Sequence, residues 1–447
     1  MSALRLAGKS LIILALLVVA VVVAVSLWAP QKKRAADRGW AESFEPMETL
    51  AARYSGTPNS PAAQELATLS ARLGISMESP LMERTPRGRT QESRARLRLA
   101  QEETNELRPL VAFLAAEAGR ADDETLDAPP PQVADFLSGH RAEIEAIETH
   151  VLGSDTISWA CDIQKGADSP TAPLLGHRHL VSVLLVHALE TARAGNDQAA
   201  QRALEASWKL NLVLRERPEL IAQLVAIGVA GSHNAVLRRI PGTLPEWQGR
   251  LSSQDWRRSM LRSLQAEVWM FERGVLQVQS SDRNAGGGRG PEQVGRIAHL
   301  SRPLGGLWLE LSVADYSDQM RRMAVELKRG DPCALDIEGF ARQMEAEIPW
   351  WNILSKIAMP SLARSWSSVG RALLDDELTG LVVRAKAQVR SATGAVPQPA
   401  SIPSSVCAGV SWMSKPQANG DLEIGADRNP FKDPKSAPPL SFRVHRR

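Results

Sequence analysis

One unbroken apolar run, Leu11 to Trp28 (LIILALLVVAVVVAVSLW), governs how the rest of this chain can be arranged; Ser26 is its only polar residue. As a helix, eighteen residues at about 1.5 Å each span roughly 27 Å, close to the hydrocarbon thickness of a bilayer. Trp28 closes the run, where an indole favours the membrane interface. The run is long for the core of a signal peptide, and no lipidation cysteine follows it. The small residues that would suit cleavage, Ala24-Val25-Ser26, lie inside it. The sequence therefore predicts a basic N-tail over residues 1–10 and an uncleaved transmembrane anchor over residues 11–28, with the lipid bilayer as its first partner.

Two signals bear on orientation. Arg5 and Lys9 precede the run, and Lys32, Lys33, Arg34 and Arg38 follow it, so a count of positive charges favours a cytoplasmic C-terminal domain. A short basic tail before a single apolar helix is, in contrast, the usual form of a bacterial signal anchor with an exported domain. The reading adopted is the second: bacterial inner membrane, single-pass, C-terminal domain periplasmic.

Beyond the anchor the patterning is helical. Residues 29–131 read as a membrane-proximal helical region with linkers. Ala35–Tyr54 forms one helix. A second opens at Ser60-Pro61, with Ser as cap, Pro in the first helical position and Gly74 as the stop. Residues 76–90 read as a loop, Gln91–Ala118 as a helix kinked at Pro109, and Asp122–Pro131 as a linker-like stop. Residues 132–390 read as a helical bundle domain. Val133, Phe136, Leu137, His140, Ile144, Ile147 and Val151 recur at three- and four-residue steps along one helix. Leu174–Ala194 and Asp197–Arg215 form a hairpin that Gly195 ends and Asn196 caps. Pro218–Ile240 is apolar nearly all round and belongs at the bundle centre; Gln223, Ser232 and His233 argue against a second span. Further helices are expected over Ser253–Gln279, Ile297–Lys328, Ile337–Glu347 and Ile353–Gln388, with a glycine-rich loop at Asn284–Pro291.

Residues 391–447 change character. A Pro- and Ser-rich connector, Ser391–Ser405, should carry few contacts. Alternation at Val406–Trp412, at Leu422 and Ile424, and at Leu440–Val444, with an Asn419-Gly420 turn, predicts a small antiparallel β unit. The fold expected is mostly α: an N-terminal transmembrane helix, a multi-helix bundle and that small C-terminal antiparallel unit.

Charge excludes one function class. The 53 basic and 50 acidic residues leave a net charge of only +3, without the basic excess of a dedicated nucleic-acid binder. The twelve Trp beside two Tyr read as fillers of helix seams. Cys161, Cys333 and Cys407 are far apart, form no metal-ligand spacing, and leave open which two, if any, pair. His177 and His179, with His187 and Glu190 on the following helix, lack the convergence that zinc requires and read as packing residues, as do His140 and His233. Ser232-His233 lacks the glycine of a nucleophile elbow, and Gly286–Gly290 lacks the Lys-Ser or Lys-Thr of a phosphate loop. Asp375-Asp376-Glu377 reads as a solvated helix face. No catalytic, cofactor-binding or metal-ligating residue is assigned, and no cofactor is expected.

The stretches ARAGNDQAAQRALEASWKLN (192–211), RPELIAQLVAIGVA (217–230), IPWWNILSKIAMPSLARSW (348–366) and NPFKDPKSAPPLSFRV (429–444) carry a resemblance. The chain resembles bacterial envelope proteins with a basic tail, one anchor and an Ala/Leu/Arg-rich helical body, a family without an assigned activity. Its ending is also similar to that of type II secretion pseudopilins. Here Gly394-Ala395-Val396-Pro397 stands in place of their Gly-x-Tyr-Pro turn and Asn429-Pro430-Phe431 in place of Asp-Pro-Phe, and no prepilin-type cleavage motif precedes the apolar run. The resemblance implies architecture only; the anchor, the helical body and the absence of a catalytic motif lead to a membrane-tethered helical module that binds or organises an envelope protein partner. The alternatives are an anchored enzyme of hydrolase type, with its site between helices, and a secretion or pilus-like accessory component.

Overall fold

Helices dominate the computed structural model, which describes residues 2–78, 91–240, 249–250, 255–284, 302–333, 336–391, 400–431 and 439–446. The expected glycine-rich loop beyond Asn284, the start of the helix expected from Ile297, most of the 76–90 loop and most of the connector lie outside the described residues.

Helix α1 (Ser2–Ser43) runs through the whole apolar stretch and past Pro30; its side chains are described from Val23 onward. The helix expected over Ala35–Tyr54 is thus divided between the end of α1 and a short α2 (Met47–Arg53), because Pro46 cannot continue a helical ladder. Local capping follows the sequence closely. In α3 (Pro61–Ala71) the Ser60 hydroxyl accepts from the Ala63 amide at 3.1 Å, and Gly74 takes φ +74°. Helix α4 (Gln91–Ala118) carries Pro109 within it. The single helix expected around Val133–Val151 is two: α5 (Pro131–Gly139) and α6 (Arg141–Gly153). Gly139 and a non-helical His140 (φ −114°, ψ 19°) separate them, although Val133, Leu137, Ile144, Ile147 and Val151 are all still buried.

Helices α7 (Leu174–Arg193) and α8 (Asp197–Arg215) form the expected hairpin: Gly195 adopts φ +78° and the Asn196 side chain accepts from the Ala199 amide at 3.1 Å. Helix α9 (Leu220–Arg239) is, among the described residues, the one helix both long and apolar enough to cross a membrane. It is instead enclosed by α4, α7, α8, α10 (Trp256–Asn284) and α13 (Ile353–Ser391), the central position its all-round apolar character requires. Helix α11 (Arg302–Arg329) packs along α1, and α12 (Ile337–Glu347) leads into α13.

The C-terminal unit is a four-stranded antiparallel sheet in the order β1-β2-β3-β4: Ala400–Pro403, Ser411–Pro416, Leu422–Ala426 and Ser441–Val444. Strand β1 falls inside the segment expected to be a plain connector; all its residues are exposed, so burial left no alternation to read. The expected strand at Val406–Trp412 begins only at Ser411. Before it, Gly409 turns at φ +70° and Cys407 is bonded to Cys333. The sheet's inner residues Trp412, Leu422, Ile424, Phe442 and Val444 form a second core with Leu374, Leu378, Val382 and Ala385 of α13. Contacts across the connector are therefore extensive rather than few.

Candidate functional site

Helix α9 presents small residues, Gly228, Gly231, Ser232 and Ala235, on the side that faces α13. Small residues hold little volume, and a cleft of about 330 Å³ remains between them and Arg371, Ala372 and Asp375, with Ala118 and Pro439 at its rim. A Cβ at Gly228 or Gly231 would meet nothing within 4 Å.

Below the cleft runs a buried polar seam. Arg238 donates to Asp375 Oδ1 at 2.7 Å and to Thr379 Oγ1 at 2.6 Å. Asn234 Nδ2 bridges the two neighbouring carboxylates, donating to Asp375 Oδ2 at 3.0 Å and Asp376 Oδ1 at 2.6 Å. Trp256 Nε1 donates to Asp376 Oδ2 at 2.8 Å, and the Arg215 guanidinium lies 4.7 Å above the Trp256 ring. Burial pushes the Asp376 carboxyl up to about 7; the bonds from Asn234 and Trp256 oppose this without cancelling it. Farther along, Lys386 pairs with Asp123 at 3.2 Å, and Arg239 pairs with Glu117 at 2.8 Å.

The acidic triplet is thus not a solvated face. Asp375 and Asp376 are buried. Glu377 receives bonds from Ser404 Oγ, Ser405 N and Trp412 Nε1, clamping the β unit to α13. The sequence reading missed this because adjacent carboxylates on a helix usually look outward. The signal lay on another helix: Arg238-Arg239 closes an otherwise apolar α9, and buried guanidinium groups require buried acids.

The histidines are dispersed. His177 accepts from Trp159 Nε1 at 2.6 Å and is pushed down to about 3 by burial. His179 faces Glu103 at 2.9 Å, and His187 lies 3.7 Å from Glu148, whose carboxyl burial raises to about 7. His233 Nε2 bonds the Leu204 carbonyl at 3.2 Å, and burial lowers it to about 4. His140 is half-buried against the Phe136 ring, not in the core. One grouping was absent from the sequence reading: Asp122, Glu124 and His445 hold ligand-type atoms within 4.8 Å of one another. These groups are already engaged. Asp122 Oδ1 accepts from the Glu124 amide and faces Arg239, while His445 Nδ1 pairs with Asp421 at 2.8 Å.

The floor of the cleft ends in an Arg238–Asp375 pair with both carboxylate oxygens occupied, while Asp376, the group that could exchange a proton near neutral pH, faces Trp256 and Asn234 instead of the opening. Comparison with known proteins finds no matching family model, no similar curated protein and no similar solved structure.

Proposed function

We propose that this chain is a membrane-tethered helical module of the bacterial envelope that binds a protein partner outside the inner membrane. One observation carries the tether. On α1, Leu27 is 64% exposed and Trp28 50% exposed, beside exposed Val23, so this part of the helix carries apolar side chains that the body does not cover. Water does not reward such a surface; a bilayer does. The Cys333–Cys407 bond supports an oxidising compartment. Lys32 and Lys33, which weigh toward a cytoplasmic body when counted, pair with Asp315 and Glu272 and so have a structural use independent of orientation.

The α9–α13 cleft is the recognition surface in this reading. Ile227, Ala235 and Ala372 give it apolar walls, and Arg371 and Asp375 give it a polar edge, suited to one or two side chains of a partner. A Cβ at Gly231 meets nothing within 4 Å, so Gly231→Leu places its side chain in the cleft without displacing backbone. Affinity capture from solubilised membranes should recover a partner with the unmodified chain and lose it with Gly231→Leu at unchanged thermal stability. An identical captured set from both would refute the cleft as the binding site.

A second reading, an anchored hydrolase, is favoured by the Asp376 carboxyl at about 7 next to the cleft. Partner capture that survives Gly231→Leu, together with a hydrolytic activity that Asp376→Asn abolishes, would put it first.

A further inference from the structure

We infer that the body is seated on the lipid surface through a tryptophan belt made by the α12–α13 turn and the start of α11, beside the anchor; the inference rests on the membrane-tethered reading. Helices α1 and α11 run in parallel. Lys32 pairs with Asp315, Trp40 Nε1 donates to Ser317 at 3.2 Å, and Lys328 Nζ reaches the Ser43 carbonyl at 2.8 Å, so residue numbers rise together along the two helices. Toward the N-termini, Trp28 lies about 6 Å and Trp308 about 10 Å beyond the level of the Lys32–Asp315 pair, from the helical rise. Lys32 also caps the Trp28 ring, 5.3 Å from its centre.

The α12–α13 turn is fixed at this same level. Asn352, itself buried, donates to Asp315 Oδ2 at 2.7 Å, and Trp308 Nε1 donates to the Trp351 carbonyl at 3.1 Å. Between those two tied residues and Pro349 stands Trp350, 84% exposed, the most exposed large apolar side chain among the described residues. A turn this firmly bonded does not need an indole in water. Its placement level with Trp28 does suit one, because indole rings favour the headgroup boundary on the body side of a span. Trp28, Trp308, Trp350 and Trp351 therefore act together. Anchored at one helix alone, the body could pivot; a second contact at Trp350 fixes the face it turns to the membrane.

The full chain, reconstituted into phosphatidylethanolamine–phosphatidylglycerol vesicles, allows a direct test. Spin labels are placed singly through Trp28→Cys, Trp350→Cys and Ile402→Cys. Cys161 is buried, with its thiol pushed up to about 12, and leaves little background. The readout is relaxation by oxygen, which enters lipid, against a nickel chelate, which stays in water. The oxygen-to-nickel ratio at position 350 should match that at 28 and exceed that at 402 several-fold. A ratio at 350 equal to that at 402, with 28 in lipid, overturns the seat and leaves the anchor standing. A water-like ratio at 28 overturns the anchor and the seat with it. An immobile label at 350, shielded from both reagents, shows a protein covering this face and also overturns the seat.

Discussion

The two hydrophobic cores of this molecule are held by different means. The larger one, running from Trp40 through α3, α6, α7, α8, α9 and α10, closes by helix-on-helix burial, with Leu184, Leu185, Ala203 and Leu204 fully enclosed. The smaller one lies between α13 and the sheet, and its strands have only four to six residues each. Strands this short bury little apolar area each, and the sheet's one apolar face is closed by α13. The sheet is reinforced by the Cys333–Cys407 bond, by Glu377 reaching into the 404–412 loop, and by the Arg443 amide and carbonyl bonding Ala121 and Asp123 of the segment after α4. Where apolar area is short, covalent and polar ties take its place.

Removing residues 392–447 should have the largest effect. It uncovers Leu374, Leu378, Val382 and Ala385 together and leaves Glu377 without its partners. At roughly 1.5–3 kcal/mol for each of the three large side chains exposed, the loss is about 4.5–9 kcal/mol. A thermal melt of the truncated chain should lose its cooperative transition or aggregate. A normal cooperative melt would mean that the large core is independent of the small one.

The seam between the cores comes next. Arg238→Ala leaves Asp375 buried without its cation, and removal of one partner from such a pair costs about 3–5 kcal/mol. Chemical denaturation should show a clear fall in midpoint; an unchanged midpoint would mean that water already solvates Asp375. Cys333→Ser ranks third. Opening a loop that joins residues 74 apart costs about 2–4 kcal/mol. Its effect should be local, with amide exchange rising in β2 and β3 while α7 and α8 keep their protection.

The large core was the more legible in sequence, and the reason is physical. Its helices are specified by residues that act within a few positions: Ser60 and Asn196 as caps, Gly74 and Gly195 as stops, and three- and four-residue apolar steps. The small core depends on distant pairs. Nothing near Cys333 or Cys407 points to the other, and β1 has no buried side to reveal it. The cleft escaped for the same reason, since it exists only where the small residues of α9 oppose α13. His140 shows the converse failure, because a stripe that stays on one side through a break looks continuous in sequence.

The smallest effect separates the two regions by their titration. Glu148 belongs to the large core and Asp376 to the seam, and burial raises each carboxyl to about 7. Each folded-state value lies above its unfolded one, so the folded chain holds a proton there that the unfolded chain has lost between about pH 4 and 7. Stability from these groups is therefore full at the acidic end and declines as pH rises to about 7. His177 and His233, pushed down to about 3 and 4, act oppositely: the unfolded chain gains protons below its ordinary histidine value, and stability declines as pH falls from about 6.5. The two trends partly cancel in the unmodified protein, so only difference curves are informative. The melting temperature of Asp376→Asn relative to the parent should rise steadily from pH 5 to pH 7.5, as the parent loses stability that the amide cannot lose. Glu148→Gln should do the same from within the large core, with Arg202, 3.5 Å from Glu148, reducing the size of the change. A flat difference curve for Asp376→Asn would show that this carboxyl is ionised throughout the range, and would remove the proton-exchanging group on which the hydrolase reading depends.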